Sequence, residues 1–234
     1  MSSPVTHVET TAVVTERSFL REVFAWMLLA LAITTGIAVW FHASSNVTAY
    51  FNDHPGIFFV SLGAQLAMVF GLSFGINRIS AQLAALLFCV YAALTGFTFS
   101  ILLEAYTTSS VVGAFAGATG VFGGMALYGY TTERDLSGWG AALFGALIGL
   151  IFASIAFIFI GGSTFNLLLG FGGVIIFAGL TAYDMQKLKQ LAAGDGPLAT
   201  EDHQQKAAIF GALMLYLDFI NLFLSLLRIF GRNN

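Results

Sequence analysis

Gly138–Ile160 reads GWGAALFGALIGLIFASIAFIFI and carries no charged side chain. A helix needs about 20 apolar residues to cross ~30 Å of hydrocarbon, and this stretch is long enough. Within a bilayer every backbone amide and carbonyl must be bonded internally, so only helices and closed barrels can span it. The strand-like alternation of a barrel is absent here. Working outward, six more stretches have the same character: roughly Val23–Phe41, Gly56–Ile76, Ala81–Leu103, Val111–Tyr130, Phe165–Tyr183 and Ala207–Leu227. Only the last holds a charge, Asp218. The expectation is an all-α integral membrane protein, a seven-transmembrane-helix bundle. Residues 1–22 form a cytoplasmic N-terminal tail, 23–230 the transmembrane domain and 231–234 a C-terminal tail.

Composition supports this. Of 234 residues, 58% are hydrophobic and 9% charged, against about 25% charged in an ordinary soluble domain. The net charge of −3 points away from nucleic acid. The one cysteine, Cys89, excludes an internal disulfide and reads as a packing residue. The N-terminal tail is too acidic for a transit peptide and lacks the short basic region of a cleavable signal, so the first helix is expected to be retained. Arg17, Arg21, Arg78, Arg134, Lys187, Lys189 and Lys206 fall on one side of the membrane, and Arg228 and Arg232 on the other. The positive-inside rule therefore places the N-terminus in the cytoplasm and, after seven spans, the C-terminus outside. The compact chain and short tail favour a bacterial inner membrane.

Gly113, Gly117, Gly120 and Gly124 recur every three or four residues, as do Gly145 and Gly149. Such spacing is expected to let helix backbones approach closely. In the last span Gly211, Met214, Asp218, Asn221, Ser225, Arg228 and Arg232 share one face, with Leu217, Ile220 and Leu224 elsewhere. A carboxylate near the bilayer centre costs about 2.5–3.5 kcal/mol on insertion scales. That stripe, with Asn221 and Ser225 as its interior polar groups, is therefore expected to face the bundle interior, which makes the seventh helix central.

Asp184 closes the sixth span and is followed by Lys187 and Lys189. If the helix runs a turn further, Asp184 stays within the membrane on a helix antiparallel to that of Asp218. Two carboxyls in contact share a proton and titrate as a unit. Such a pair would act as a latch that holds the sixth and seventh helices together until the proton leaves. Asp184 alone would read as an interfacial acid beside Lys187 or Lys189. Arg78, at the inner end of the second helix, is the candidate counter-ion.

Leu215–Gly231, LYLDFINLFLSLLRIFG, resembles the last helix of the Bax inhibitor motif family almost residue for residue. Thr181–Gln186 (TAYDMQ), Thr131–Gly138 (TTERDLSG) and the FLREVF that opens the first helix are similar to that family's corresponding segments, in the same order. The resemblance implies seven helices with the seventh central. It also implies a calcium leak regulated by pH, with Asp184 and Asp218 as the sensor. A single arginine at position 78 and the long loop Lys187–Lys206, which holds Asp195, Glu201 and Asp202, depart from the pattern.

Calcium takes six to eight oxygen ligands. Asp184 and Asp218, with Asn221, Ser225 and water, could hold it weakly and transiently, as a leak requires. Calcium enters as the transported ion, protons as the regulator, and no cofactor is expected. Glu104 and Asp53 in outer segments read as solvated acids. An intramembrane aspartyl protease also uses one aspartate on each of two helices, but Asp218 follows Leu215-Tyr216-Leu217 and lacks the glycine-flanked context of that motif. Gly71-Leu72-Ser73-Phe74-Gly75 matches a nucleophile elbow in letters only, because no histidine lies within a span. No lysine in the last helix could hold a retinal. The expectation is a non-enzyme. The alternatives are a non-conducting regulator of a membrane partner such as a protease, with the N-terminal tail as its handle, and a cation/proton antiporter.

Overall fold

The computed structural model describes residues 4–44, 49, 51, 53–76, 78–193 and 201–231. Arg232 and Asp195 lie outside them. Every element among the described residues is an α-helix: α1 (Pro4–Ala43), α2 (Pro55–Gly75), α3 (Ala81–Ala105), α4 (Thr108–Thr131), α5 (Ser137–Ile160), α6 (Ser163–Ala193) and α7 (Glu201–Phe230). All seven are long and apolar enough to cross a membrane. Pro55 opens α2, where a missing amide proton costs nothing. The Thr107 side chain accepts from the amide of Ser110 and caps α4. The α5–α6 turn uses Gly161 at φ 66° and Gly162 at φ 99°, a region that side chains rarely tolerate.

Helices outrun their apolar stretches at α1, which begins at Pro4 rather than Val23, and at α6. The apolar run of α6 ends at Tyr183, yet the helix continues to Ala193. Charge at Asp184, Lys187 and Lys189 interrupts the hydropathy but not the buried face, because Met185, Leu188 and Ala192 remain inside. At ~1.5 Å per residue the helix outruns ~30 Å of hydrocarbon, which carries its basic end beyond it.

The chain divides into two compact units, Met1–Glu104 with Leu188–Leu213, and Ala105–Lys187 with Met214–Asn234. In the first, Thr34 Oγ1 on α1 donates to the Ala92 carbonyl on α3 at 2.9 Å, beside Gly96, where a Cβ would lie 2.5 Å from the Thr34 carbonyl. In the second, the buried face of α4 is Ala114, Ala118, Phe122, Ala126 and Gly129. Phe115 and Phe122 present their edges to Phe219 of α7, with ring centroids 5.4 and 5.6 Å apart. The seventh helix is the buried one: 67% of its span window lies inside the protein, against 0–39% in the other six.

Two packing expectations need correction. Gly113, Gly120, Gly124, Gly145 and Gly149 face open space, and Gly117 meets only the Leu226 side chain, at 3.3 Å. Periodicity identifies a smooth face but not the direction it points. Close approach occurs at other glycines. A Cβ on Gly129 would run into the Ala182 carbonyl, one on Gly173 into Ser225 Oγ, and one on Gly140 would lie 2.7 Å from the Tyr183 ring. On α7 the expected stripe is not a distinct buried face. Gly211, Asp218 and Ser225 are buried, but so is Ile220, while Met214, Asn221 and Arg228 share the half-buried edge with Leu217 and Leu224. A helix packed on most sides buries apolar and polar residues alike, so polarity does not mark its inner face.

Gly129→Ala should lower thermal stability in detergent by about 1–3 kcal/mol, because backbone cannot yield to the new methyl. Gly124→Ala, in open space, should be neutral or stabilising by up to about 1 kcal/mol. Equal melting temperatures for the two variants would contradict the α4–α6 contact.

Candidate functional site: a carboxyl pair on the last two helices

The α6 turn that carries Asp184 is gripped from one direction. Ala182 backs onto Gly129 of α4, and the Tyr183 ring lies on Gly140 of α5. Thr181 is fully buried and its hydroxyl donates to the Phe177 carbonyl at 2.7 Å. Asp184 itself is half-buried. Lys187, one turn on, is its charged neighbour along the helix.

Asp218 lies deeper, at 5% exposure, next to the Phe219 ring that Phe115 and Phe122 hold in place. It is close enough to Asp184 to feel its charge. Its Oδ2 is fully buried and has no hydrogen-bond partner among the described groups. An unpaired buried polar atom costs free energy that the fold must offset elsewhere. Chemically, such an oxygen can take a proton shared with a second carboxyl, or a cation. Both carboxyls lie in the second unit, Asp184 on α6 and Asp218 on α7.

Asn221 and Ser225 continue along α7. The Asn221 amide donates to the Leu217 carbonyl at 2.8 Å and the Ser225 hydroxyl to the Asn221 carbonyl at 2.7 Å. Ser225 thereby spends its one proton on its own helix and keeps oxygen lone pairs, while Asn221 keeps its carbonyl oxygen and a second N–H. Arg78 is exposed in the turn after α2 and belongs to the first unit. Glu104, also in that unit, pairs with His42 at 3.5 Å, both side chains about half exposed. Ser73 and its flanking glycines lie within α2, so the strand-to-helix turn of a nucleophile elbow is absent there.

One site residue escaped the sequence analysis. Gln186 is 7% exposed and bonds the α4–α5 loop. Its Nε2 donates to the Arg134 carbonyl and its Oε1 accepts from the Leu136 amide, both at 2.8 Å. The available signal was an amide side chain beside buried Met185 in a helix otherwise turning basic. In the same loop, hydrogen bonds from the side chain and backbone of Ser137 hold the exposed Asp135 carboxyl below the usual carboxylate range.

Residues 16–234 match a sequence family described as inhibitor of apoptosis-promoting Bax1. The chain is 44% identical over 218 residues to the inner membrane protein YbhL of Escherichia coli (strain K12), covering 92% of each chain. It is 41% identical over 213 residues to a protein of Deinococcus radiodurans, covering 91% of this chain and 90% of the other. Over 195 residues it is 40% identical to a membrane protein of Streptococcus pyogenes serotype M3, covering 81% and 80%.

Replacing Asp218 by leucine removes a buried oxygen that accepts no hydrogen bond from the described residues. Asp218→Leu should therefore raise stability by about 1–3 kcal/mol, read as a higher melting temperature in detergent. A lower melting temperature would mean that the carboxyl is well accommodated.

Proposed function

The chain belongs to the Bax inhibitor family of membrane proteins, and from that premise we propose that it is a pH-sensitive calcium leak channel. Its gate is the proton-sharing pair Asp184 and Asp218. The observation that carries the proposal is the buried, unpartnered Oδ2 of Asp218 beside a second carboxyl. Structural side chains inside a membrane protein are satisfied by their neighbours. One that is left unsatisfied near the middle of its span belongs to a functional group by default.

The latch works by charge. With one proton between them, the two carboxyls attract through a hydrogen bond and hold α6 to α7. When pH rises the proton leaves, two anions face each other in a low-dielectric interior, and the helices part. The freed carboxylates, with the oxygens of Asn221 and Ser225, offer a passing calcium ion a weak site, and weakness is what allows it to leave. No bond is made or broken in the ion, so the role is not enzymatic. We place the chain in a bacterial inner membrane, with the N-terminus in the cytoplasm and the C-terminus outside.

Calcium entry into dye-loaded liposomes containing the purified protein tests this. Flux should rise from pH 6 to pH 8, and Asp184→Asn and Asp218→Asn should each flatten that dependence, because an amide has no proton to lose. Absence of flux above that of empty liposomes at every pH removes the channel and leaves a regulator that needs a membrane partner. Flux that requires an opposing proton gradient makes it an antiporter. For topology, alkaline phosphatase fused after Asn234 in a bacterial host should be active and a green fluorescent protein at the same point dark. The reverse pattern would turn the last helix back to the cytoplasm.

A further inference from the structure

The α4–α5 loop is short and braced from within. The Thr132 amide bonds the Tyr128 carbonyl at 2.8 Å, the Arg134 amide the Thr132 hydroxyl at 3.2 Å, and the Ser137 amide the Asp135 carboxylate at 2.9 Å. Two main-chain groups turn away from this internal set, the Arg134 carbonyl and the Leu136 amide, and both bond the one side chain of Gln186. A glutamine has one acceptor oxygen and one donor nitrogen. Here both ends are engaged by main-chain atoms of a single loop, and the side chain is buried, which fixes its rotamer.

Gln186 is two residues from Asp184. At about 100° per residue the two side chains leave α6 in nearly opposite directions. Ala182, two residues to the other side, lies on roughly the same face as Gln186 and is pressed against Gly129. Tyr183 sits against Gly140 at the start of α5. Both ends of the α4–α5 hairpin therefore hold the face of α6 that lies away from Asp184, and the loop holds it through Gln186.

We infer that Gln186 is a positioning residue: it ties the Thr132–Leu136 loop to the helical turn of Asp184, so that the hairpin and the turn move as one body and Asp184 keeps its aim. The tie is a statement about packing and stands without any transport activity. Its effect on flux rests on the reading of Asp184 as part of a gate.

Two variants cut the tie by different means. Gln186→Leu keeps the volume and removes both hydrogen bonds. Gln186→Asn keeps the amide but is one methylene too short to reach both loop groups. Hydrogen–deuterium exchange on the full chain in nanodiscs reads the loop directly. The Leu136 amide should exchange slowly in the wild type and at least about tenfold faster in both variants. Unchanged exchange in variants that elute as the wild type does would overturn the tie, whatever the flux. Liposome flux then reads the positioning role through a double-mutant cycle. Gln186→Leu should change calcium entry by about threefold or more alone and add almost nothing to Asp184→Asn, since non-additivity marks residues that act through each other. An equal effect in both backgrounds would overturn positioning and leave a structural bond. A wild type that conducts no calcium would remove the channel reading, while the exchange of Leu136 would still decide the tie.

Discussion

A carboxyl group midway along a membrane helix has to be surrounded by protein, because lipid offers it neither a hydrogen bond nor a counter-charge. Asp218 imposes that condition on this chain. The helix that carries it must be the buried one, and it is, with 67% of its span window inside against none of α5. The residues on either side of Asp218 are then committed to packing. Phe219 is pinned edge-on by two aromatic rings of α4, and Tyr216 and Leu222 are sealed from solvent and lipid. The arrangement leaves one oxygen of the carboxyl buried and without a hydrogen-bond partner among the described residues.

The second carboxyl is held differently. Asp218 is fixed by being enclosed. Asp184 is half-buried and is fixed through the opposite face of its own helix, where Gly129, Gly140 and the loop at Gln186 engage α6. Lys187 adds a positive charge one turn beyond Asp184, at the end of α6 that outruns the hydrocarbon.

Much of this was legible in the sequence, and the reasons differ by feature. Seven charge-free or nearly charge-free runs leave a lipid-facing chain few alternatives, so the helices followed from length and polarity, and the burial of Asp218 from its place midway along one of them. The extent of α6 was hidden because hydropathy averages over all faces, while a helix end continues as long as one face stays buried, as Leu188 and Ala192 do. The glycine stripes of α4 and α5 misled because a smooth helix face serves lipid as well as protein. Gln186 was invisible because its function depends on two main-chain atoms some fifty positions away in the chain, Arg134 O and Leu136 N.

The glycines that do matter set how closely α6 runs to its neighbours. On α6, Gly173 takes Ser225 where a Cβ would stand, and a Cβ on Gly170 would lie 2.8 Å from Ile229 and 3.1 Å from the Ser225 carbonyl. Gly179, further along the same helix, admits Leu143 of α5 at 2.8 Å. With side chains missing on both flanks, α6 is thin where it passes between α5 and α7. The cost in helix propensity, up to about 1 kcal/mol per glycine, is borne in a segment whose backbone bonds have no water to compete with them. The same sequence in water would be a poor helix. In a bilayer it becomes the slim helix that α5 and α7 can both approach.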